Sequence, residues 1–251
     1  MKLFMNIPKI EIEEKKMPLI DHLNELRSRL LLSLLFFILS SAICSLKVKQ
    51  IVFFLQQLVP KVKFLQLAPG EYFFSSIKVA LYGGLLFTTP FLIYQLLLFI
   101  LPGLSFKERR IILPLSLMSV ILFFLGLAFA YLALIPAALN FFLNYGSDIV
   151  EPLWSLEQYL DFIVILSIST GISFELPIIQ ILLGVFGIVT KIQMLKGWRY
   201  VLLLSTIAGA ILTPSVDPLT QILLSSAIFL LYFLGIIFLY LVDNIFYKRE
   251  D

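Results

Sequence analysis

Six stretches of the chain carry no charged side chain or only one: residues 30–46, 79–106, 111–147, 162–190, 200–216 and 218–242. They run for 17, 28, 37, 29, 17 and 25 residues, against the roughly 20 apolar residues a helix needs to cross a bilayer. LLLSLLFFIL, LLFTTPFLIYQLLLFIL and ILLSSAIFLLYFLGIIFLYLV are apolar all round, whereas the strands of a membrane β-barrel alternate over about ten residues. The pattern predicts an all-α polytopic membrane protein with six transmembrane helices. Ahead of the first span, MPLIDHLNELRSRLL reads as an amphipathic helix. Pro18 suits its first turn, Leu19, Leu23, Leu26 and Leu30 recur at helical spacing, and Asp21 and Glu25 share the opposite face.

Prolines at 90, 114, 136 and 177 each remove an N–H from a span, so a bent, concave bundle is expected. The segment 47–78 contains IVFFLQQL, Pro60 and a Pro69-Gly70 turn. It reads as an amphipathic piece on the outer surface with re-entry near Phe73. The fifth span is short, its most apolar part ending near Leu212 before Thr213-Pro214, and local bilayer thinning around it is expected. There is no internal repeat and no soluble domain: residues 1–251 read as one membrane unit, with an N-terminal segment 1–29, a bundle 30–242 and a tail 243–251.

Composition agrees, since 60% of the residues are hydrophobic and 14% charged, with a mean hydropathy of +1.01; soluble domains carry roughly 25% charge. A net charge of +3 spread over short segments implies no nucleic-acid partner. With six spans both termini share a side. Lys2, Lys9, Lys15, Lys16, Arg27, Arg29, Lys107, Arg109, Arg110, Lys191, Lys196, Arg199, Lys248 and Arg249 lie there, against Lys47, Lys49, Lys61, Lys63 and Lys78 on the other. Both termini are therefore expected in the cytoplasm or stroma. Charged residues precede the first apolar run, which lacks a small-residue cleavage site, so that run is expected to persist as a span rather than be removed.

One cysteine, Cys44, and one histidine, His22, leave no intrachain disulfide and no histidine-based metal cluster. No cofactor is implied. HExxH, GxSxG, Walker A and GxGxxG motifs are absent, which removes support for an enzyme. Glu175 lies within GISFELP, in a span otherwise free of charge. It reads either as a polar contact or protonatable group in a cavity, or as a neutral carboxyl bonded to a neighbouring helix for packing. Glu108, in PGLSFKERR, either presents a carboxylate to a cation or balances its basic neighbours; Glu25 either does the same or pairs with Arg29 at i,i+4. Asp217 reads as a turn residue or helix N-cap, and His22 as a surface residue.

HLNELRSRLL before the first span, PFLIYQLLLFILPGLSFKERR around the first cytoplasmic loop, FFLGLAFAYLALIPAALNFF, SFELP and LTPSVDPLTQ occur in the order and spacing of a known family. From about Pro18 to Val242 the chain resembles TatC, the multispanning core of the twin-arginine protein translocase. The resemblance implies a six-span concave receptor for signal peptides bearing consecutive arginines. Such a receptor works with TatA- and TatB-type single-span partners, and with further copies of itself, to move folded proteins using the proton-motive force. The family's signal-peptide glutamates match Glu25 and Glu108, with Arg27 and Phe99 expected beside them. Glu175 matches its intramembrane acidic or amide position and, with Gln95, is expected to make polar or partner contacts there; Phe99, Pro90 and Gln95 fall on its second-span pattern, and Asp217 with Gln221 match its outer-side motif. Asn24 stands where many members carry another acid, which implies weaker arginine binding there. LTPSVDPLTQ resembles the cyanobacterial and plastid branch, so the resemblance implies a thylakoid or a bacterial cytoplasmic membrane. A proton-coupled secondary transporter using Glu175 is the alternative, although no inverted repeat and no second buried charge accompany it.

Overall fold

The amphipathic segment and the first apolar run form one uninterrupted helix, α1 (Leu19–Gln56). At 1.5 Å per residue it is about 57 Å long, well beyond the roughly 30 Å hydrocarbon core. The structure, a computed structural model, describes residues 19–60, 62–100, 106–145, 149, 151, 153–213 and 217–246, with backbone alone at 19, 106–110, 243, 245 and 246. Within these limits the chain continues as β1 (Lys63–Leu65), α2 (Glu71–Ile100), α3 (Phe106–Phe129), a π-helical turn (Ala130–Leu134) and α4 (Ile135–Asn144). It ends with β2 (Leu153–Ser155), α5 (Leu156–Ser173), α6 (Leu176–Val185), α7 (Lys191–Lys196), α8 (Trp198–Leu212) and α9 (Pro218–Phe246).

The expected surface piece IVFFLQQL is not separate: its first six residues are the last turns of α1. Cys44, Val48 and Val52 are buried at four-residue spacing, so the stripe facing the bundle continues past Lys47 and Lys49 and the helix follows it. The fold is all-α as expected, with one small addition in the connecting segments. Lys63–Leu65 and Leu153–Ser155 pair as a two-stranded parallel sheet, with Phe64 opposite Trp154, and tie two connecting segments far apart in sequence. Re-entry falls as expected, α2 starting at Glu71.

The four prolines act in two ways. Pro90 and Pro114 lie inside continuous helices, whereas Pro136 and Pro177 occupy the first turns of α4 and α6 just past interruptions. Before Pro136 the Ile135 N–H donates to the Ala130 carbonyl, an i→i−5 bond that opens the turn where the proline cannot donate. Before Pro177 the chain tightens, the Glu175 N–H donating to Ile172 O at 3.0 Å.

Among the described residues, five helical runs are long and apolar enough to cross a membrane: Ile20–Gln56, Glu71–Ile100, Ile111–Asn144, Leu156–Val185 and Pro218–Val242. The expected fifth span is the apolar but shorter α8, 15 residues ending at Leu212, or about 22 Å. A six-span count therefore rests on α8. Two apolar clusters fill the interior. One joins Val48, Val52, Leu134, Ile135, Ile163 and Leu224 towards the β1–β2 end; the other joins Leu97, Ile112, Leu122, Ile178, Ile181 and Ile236 towards the opposite end. Large apolar side chains such as Leu46, Leu132 and Ile211 face outward, as lipid contact requires.

Candidate functional site

At the N-terminal end of α1 a polar cluster forms against the last turns of α2. Glu25 and Arg29 share a face one turn apart, and the Arg29 Nε and Nη2 groups donate to Glu25 Oε1 at 3.0 and 2.5 Å. The remaining arm, Nη1, donates to Gln95 Oε1 at 3.1 Å. Because α1 and α2 run antiparallel here, His22 also reaches Phe99, the rings stacking at 4.1 Å and 12°. Arg29 thus uses its fork to lock the Glu25 carboxylate in place, half-buried, through one oxygen. Oε2 accepts no hydrogen bond among the described residues and is open to a further donor. Arg27 is exposed and, two residues from Glu25, lies on the opposite side of the helix. Glu108 falls in the first turn of α3, its side chain outside the described set.

Sequence reading grouped Gln95 with Glu175; the structure places it with Glu25 and Arg29 instead. Glu175 sits at the break between α5 and α6, 5% exposed. Close approach of α3 to α5 brings it a partner. A Cβ on Gly126 would stand 3.0 Å from the Gly171 backbone, and this contact sets Ser119 Oγ to donate to Glu175 Oε2 at 2.8 Å. Oε1 is buried without a hydrogen bond among the described residues, as are both amide atoms of Gln180. Gln180 packs into room left by Gly235, where a Cβ would come within 1.8 Å of its Oε1. Buried polar atoms without partners are costly in an apolar medium, so these two groups leave hydrogen-bonding capacity for a group from outside the chain.

Asp217, 1% exposed, caps α9. The Thr220 N–H donates to its Oδ1 at 2.8 Å and the Thr220 hydroxyl to its Oδ2, the N-cap role open in the sequence. Gln221 follows in the first turn, its N–H donating to Asp217 O at 3.4 Å and its carbonyl accepting from Ser225 Oγ at 2.6 Å.

Sequence reasoning missed a second polar assembly at the β1–β2 end. Glu71, 5% exposed, accepts from the Leu67 N–H at 2.5 Å, the Ala68 N–H at 3.2 Å and Ser155 Oγ at 2.7 Å. Lys78 donates to Glu157 and Asp161 at 2.5 and 2.9 Å. The available signal was complementary charge: one lysine at the head of the second span, two acids four residues apart at the head of the fourth. No group of three or more His, Cys, Asp or Glu side chains among the described residues could hold a metal.

Residues 21–226 match the family model for "Sec-independent protein translocase protein (TatC)". The chain is 58% identical over 236 residues to an uncharacterised TatC-like protein of Pyropia yezoensis, covering 93% of each. It is 54% identical over 224 residues to the Sec-independent protein translocase protein TatC of Synechocystis, covering 89% of this chain and 88% of that protein. The chloroplastic TatC protein of Arabidopsis thaliana is 47% identical over 225 residues, 89% of this chain and 66% of the relative. A crystal structure described as the twin arginine translocase receptor TatC superimposes with a TM-score of 0.75 at 34% identity, covering 88% of this chain and 99% of that one. The fold, the interrupted fourth span and these likenesses lead to one assignment: the chain belongs to the TatC family, and is an integral membrane subunit of the twin-arginine protein translocase rather than an enzyme.

Proposed function

We propose that this chain receives twin-arginine signal peptides at the end of the bundle where α1 begins, and passes folded proteins across the membrane with single-span TatA- and TatB-type partners. The observation that carries the reading is the Glu25 carboxylate, held by Arg29, which is itself anchored on Gln95, with Oε2 open. A peptide guanidinium binds that oxygen, or replaces Arg29 as the bidentate partner, in a geometry that lysine cannot copy. Glu108 supplies the second carboxylate for the second arginine, and Phe99 an aromatic surface beside them. Glu175 is the polar contact for a partner helix or an inserted substrate. In this reading α8 completes six spans, both termini face the cytoplasm or stroma, copies of the chain assemble within a larger complex, and the proton-motive force drives transport. The similarity to Synechocystis and chloroplastic relatives supports a thylakoid or bacterial cytoplasmic membrane.

The test is the affinity of a twin-arginine signal peptide for the purified protein, measured beside its Lys-Lys counterpart. Glu25→Ala and Glu108→Ala are each expected to weaken the Arg-Arg peptide about tenfold or more, the order of one lost charge-assisted bond, with the Lys-Lys peptide bound weakly throughout. Equal binding of both peptides, unchanged in both variants, would refute the proposed arginine site.

A further inference from the structure

Towards the end away from the proposed peptide site, α1 and α2 together line a groove. Where the helices cross they are in backbone contact: a Cβ on Gly84 would stand 2.0 Å from Ser41 Oγ and 2.8 Å from Ser41 Cα, and one on Gly83 2.9 Å from Cys44 Sγ. Beyond that crossing Val48 and Ser75 remain buried, and the groove, of about 580 Å³, runs along the outer side of the pair between residues 45–50 of α1 and 72–77 of α2. Its lining is divided by chemistry. Lys47, Lys49, Tyr72 and Ser76 supply charge and hydrogen-bonding groups, while Leu46 and Phe73 supply apolar surface.

Three observations indicate what fits there. First, Lys47 and Lys49 make no ion pair among the described residues, whereas Lys78, further along α2, is held by Glu157 and Asp161. The lining contains no carboxylate, so the groove carries net positive charge. Second, the uncharged run of α1 ends at Leu46, which places the lysines at the boundary between hydrocarbon and water, level with Tyr72 and Phe73 in the position of an aromatic belt. Third, Leu46 and Phe73 are strongly exposed, at 85% and 63%, and continue the groove down the lipid-facing surface.

We infer that this groove seats the phosphate-bearing head group of an anionic glycerolipid from the leaflet at the β1–β2 end, with an acyl chain descending past Leu46 and Phe73. The volume is that of a site for one small-molecule-sized group. It admits a head group and leaves the chains on the outside of the bundle. A lipid held there bridges the outer faces of α1 and α2, and is independent of whether Glu25 binds arginine.

The test is native mass spectrometry of the full chain released from detergent, offered phosphatidylglycerol or phosphatidylcholine of equal chain length. Phosphatidylglycerol is expected to be retained in preference. The double variant Lys47→Gln/Lys49→Gln is expected to lower its retention about 30-fold, the order set by two surface lysines facing an anionic lipid. Lys47→Arg/Lys49→Arg, which keeps the charge, is expected to hold the lipid, and Ile77→Trp, which fills the groove and keeps both lysines, to lose it. Lys63→Gln, outside the groove, is expected to change nothing. Equal retention of the two lipids, retention unaffected by Lys47→Gln/Lys49→Gln, or displacement of the lipid by inorganic phosphate at equal concentration would each overturn the assignment.

Discussion

Asp217 and Glu175 are both buried carboxylates, and their surroundings give them different roles. Both oxygens of Asp217 are occupied by Thr220, a partner three residues away, so the residue is explained by the helix it starts. Glu175 has one donor from a different helix and one oxygen without any. Its loss therefore removes a single hydrogen bond, a net contribution of about 0.5–1.5 kcal/mol. Glu175→Ala is expected to leave thermal stability in detergent within about 1 kcal/mol of the parent while abolishing transport and crosslinking to a single-span partner. Transport and crosslinking both at parental levels would assign the residue to packing alone. Glu175 was legible in the sequence because a lone charge in a 29-residue apolar stretch has few explanations. Ser119 was not, since serines are common in membrane helices and only the approach of α3 to α5 selects this one.

Helix α1 owes its length to a buried stripe that outlasts the apolar composition. Lys47 and Lys49 look like a loop when read for charge, yet Cys44, Val48 and Val52 keep one face against α2. The tightest part of that contact is Gly84 on Ser41, where there is no space for a side chain; without a hydrophobic drive between helices in lipid, such small-residue contacts hold the pair. Gly84→Leu is expected to force the helices apart and cost about 1–3 kcal/mol, the usual penalty of overpacking, read as a lower melting temperature in detergent. An unchanged melting temperature would mean that α1 is held elsewhere. Interruptions were half legible. Prolines marked all four candidate sites, but Pro90 and Pro114 sit in continuous helices and only Pro136 and Pro177 follow a π-turn or a break, because neighbouring contacts decide whether a missing N–H is absorbed or opened.

The bundle is closed at one end by a polar assembly joining segments 79 or more residues apart. Glu71 gathers Leu67, Ala68 and Ser155, Lys78 joins Glu157 and Asp161, and β1 pairs with β2 beside them. The ion pairs are more than a third exposed on the lysine side, where such bridges contribute about 0–1 kcal/mol; Glu71, deeper and bonded to backbone, is the member that organises the end. Glu71→Ala is expected to speed amide hydrogen exchange at Leu67, Ala68 and the β1–β2 strands while leaving the exchange of α3 and α9 as it was. Exchange unchanged at Leu67 and Ala68 would show that the loop is held by its own turn.

Hydrophobic runs, a local property, were enough to read a helical membrane protein, the place of each long apolar helix and the shortness of α8, while the family was legible in the resemblance of its motifs. The roughly 20-residue crossing length acts on the sequence directly, because lipid forces every backbone group to be satisfied within its own helix. Partner choice did not follow from such rules. That Arg29 joins Glu25 to Gln95, that Ser119 meets Glu175, that strands 63–65 and 153–155 pair, and that α1 and α2 line a common groove with lysines all depend on which helix faces turn together. Those orientations come from close contacts such as Gly84 on Ser41 and Gly126 on Gly171, made between residues distant in the chain, and only the folded bundle brings them into being.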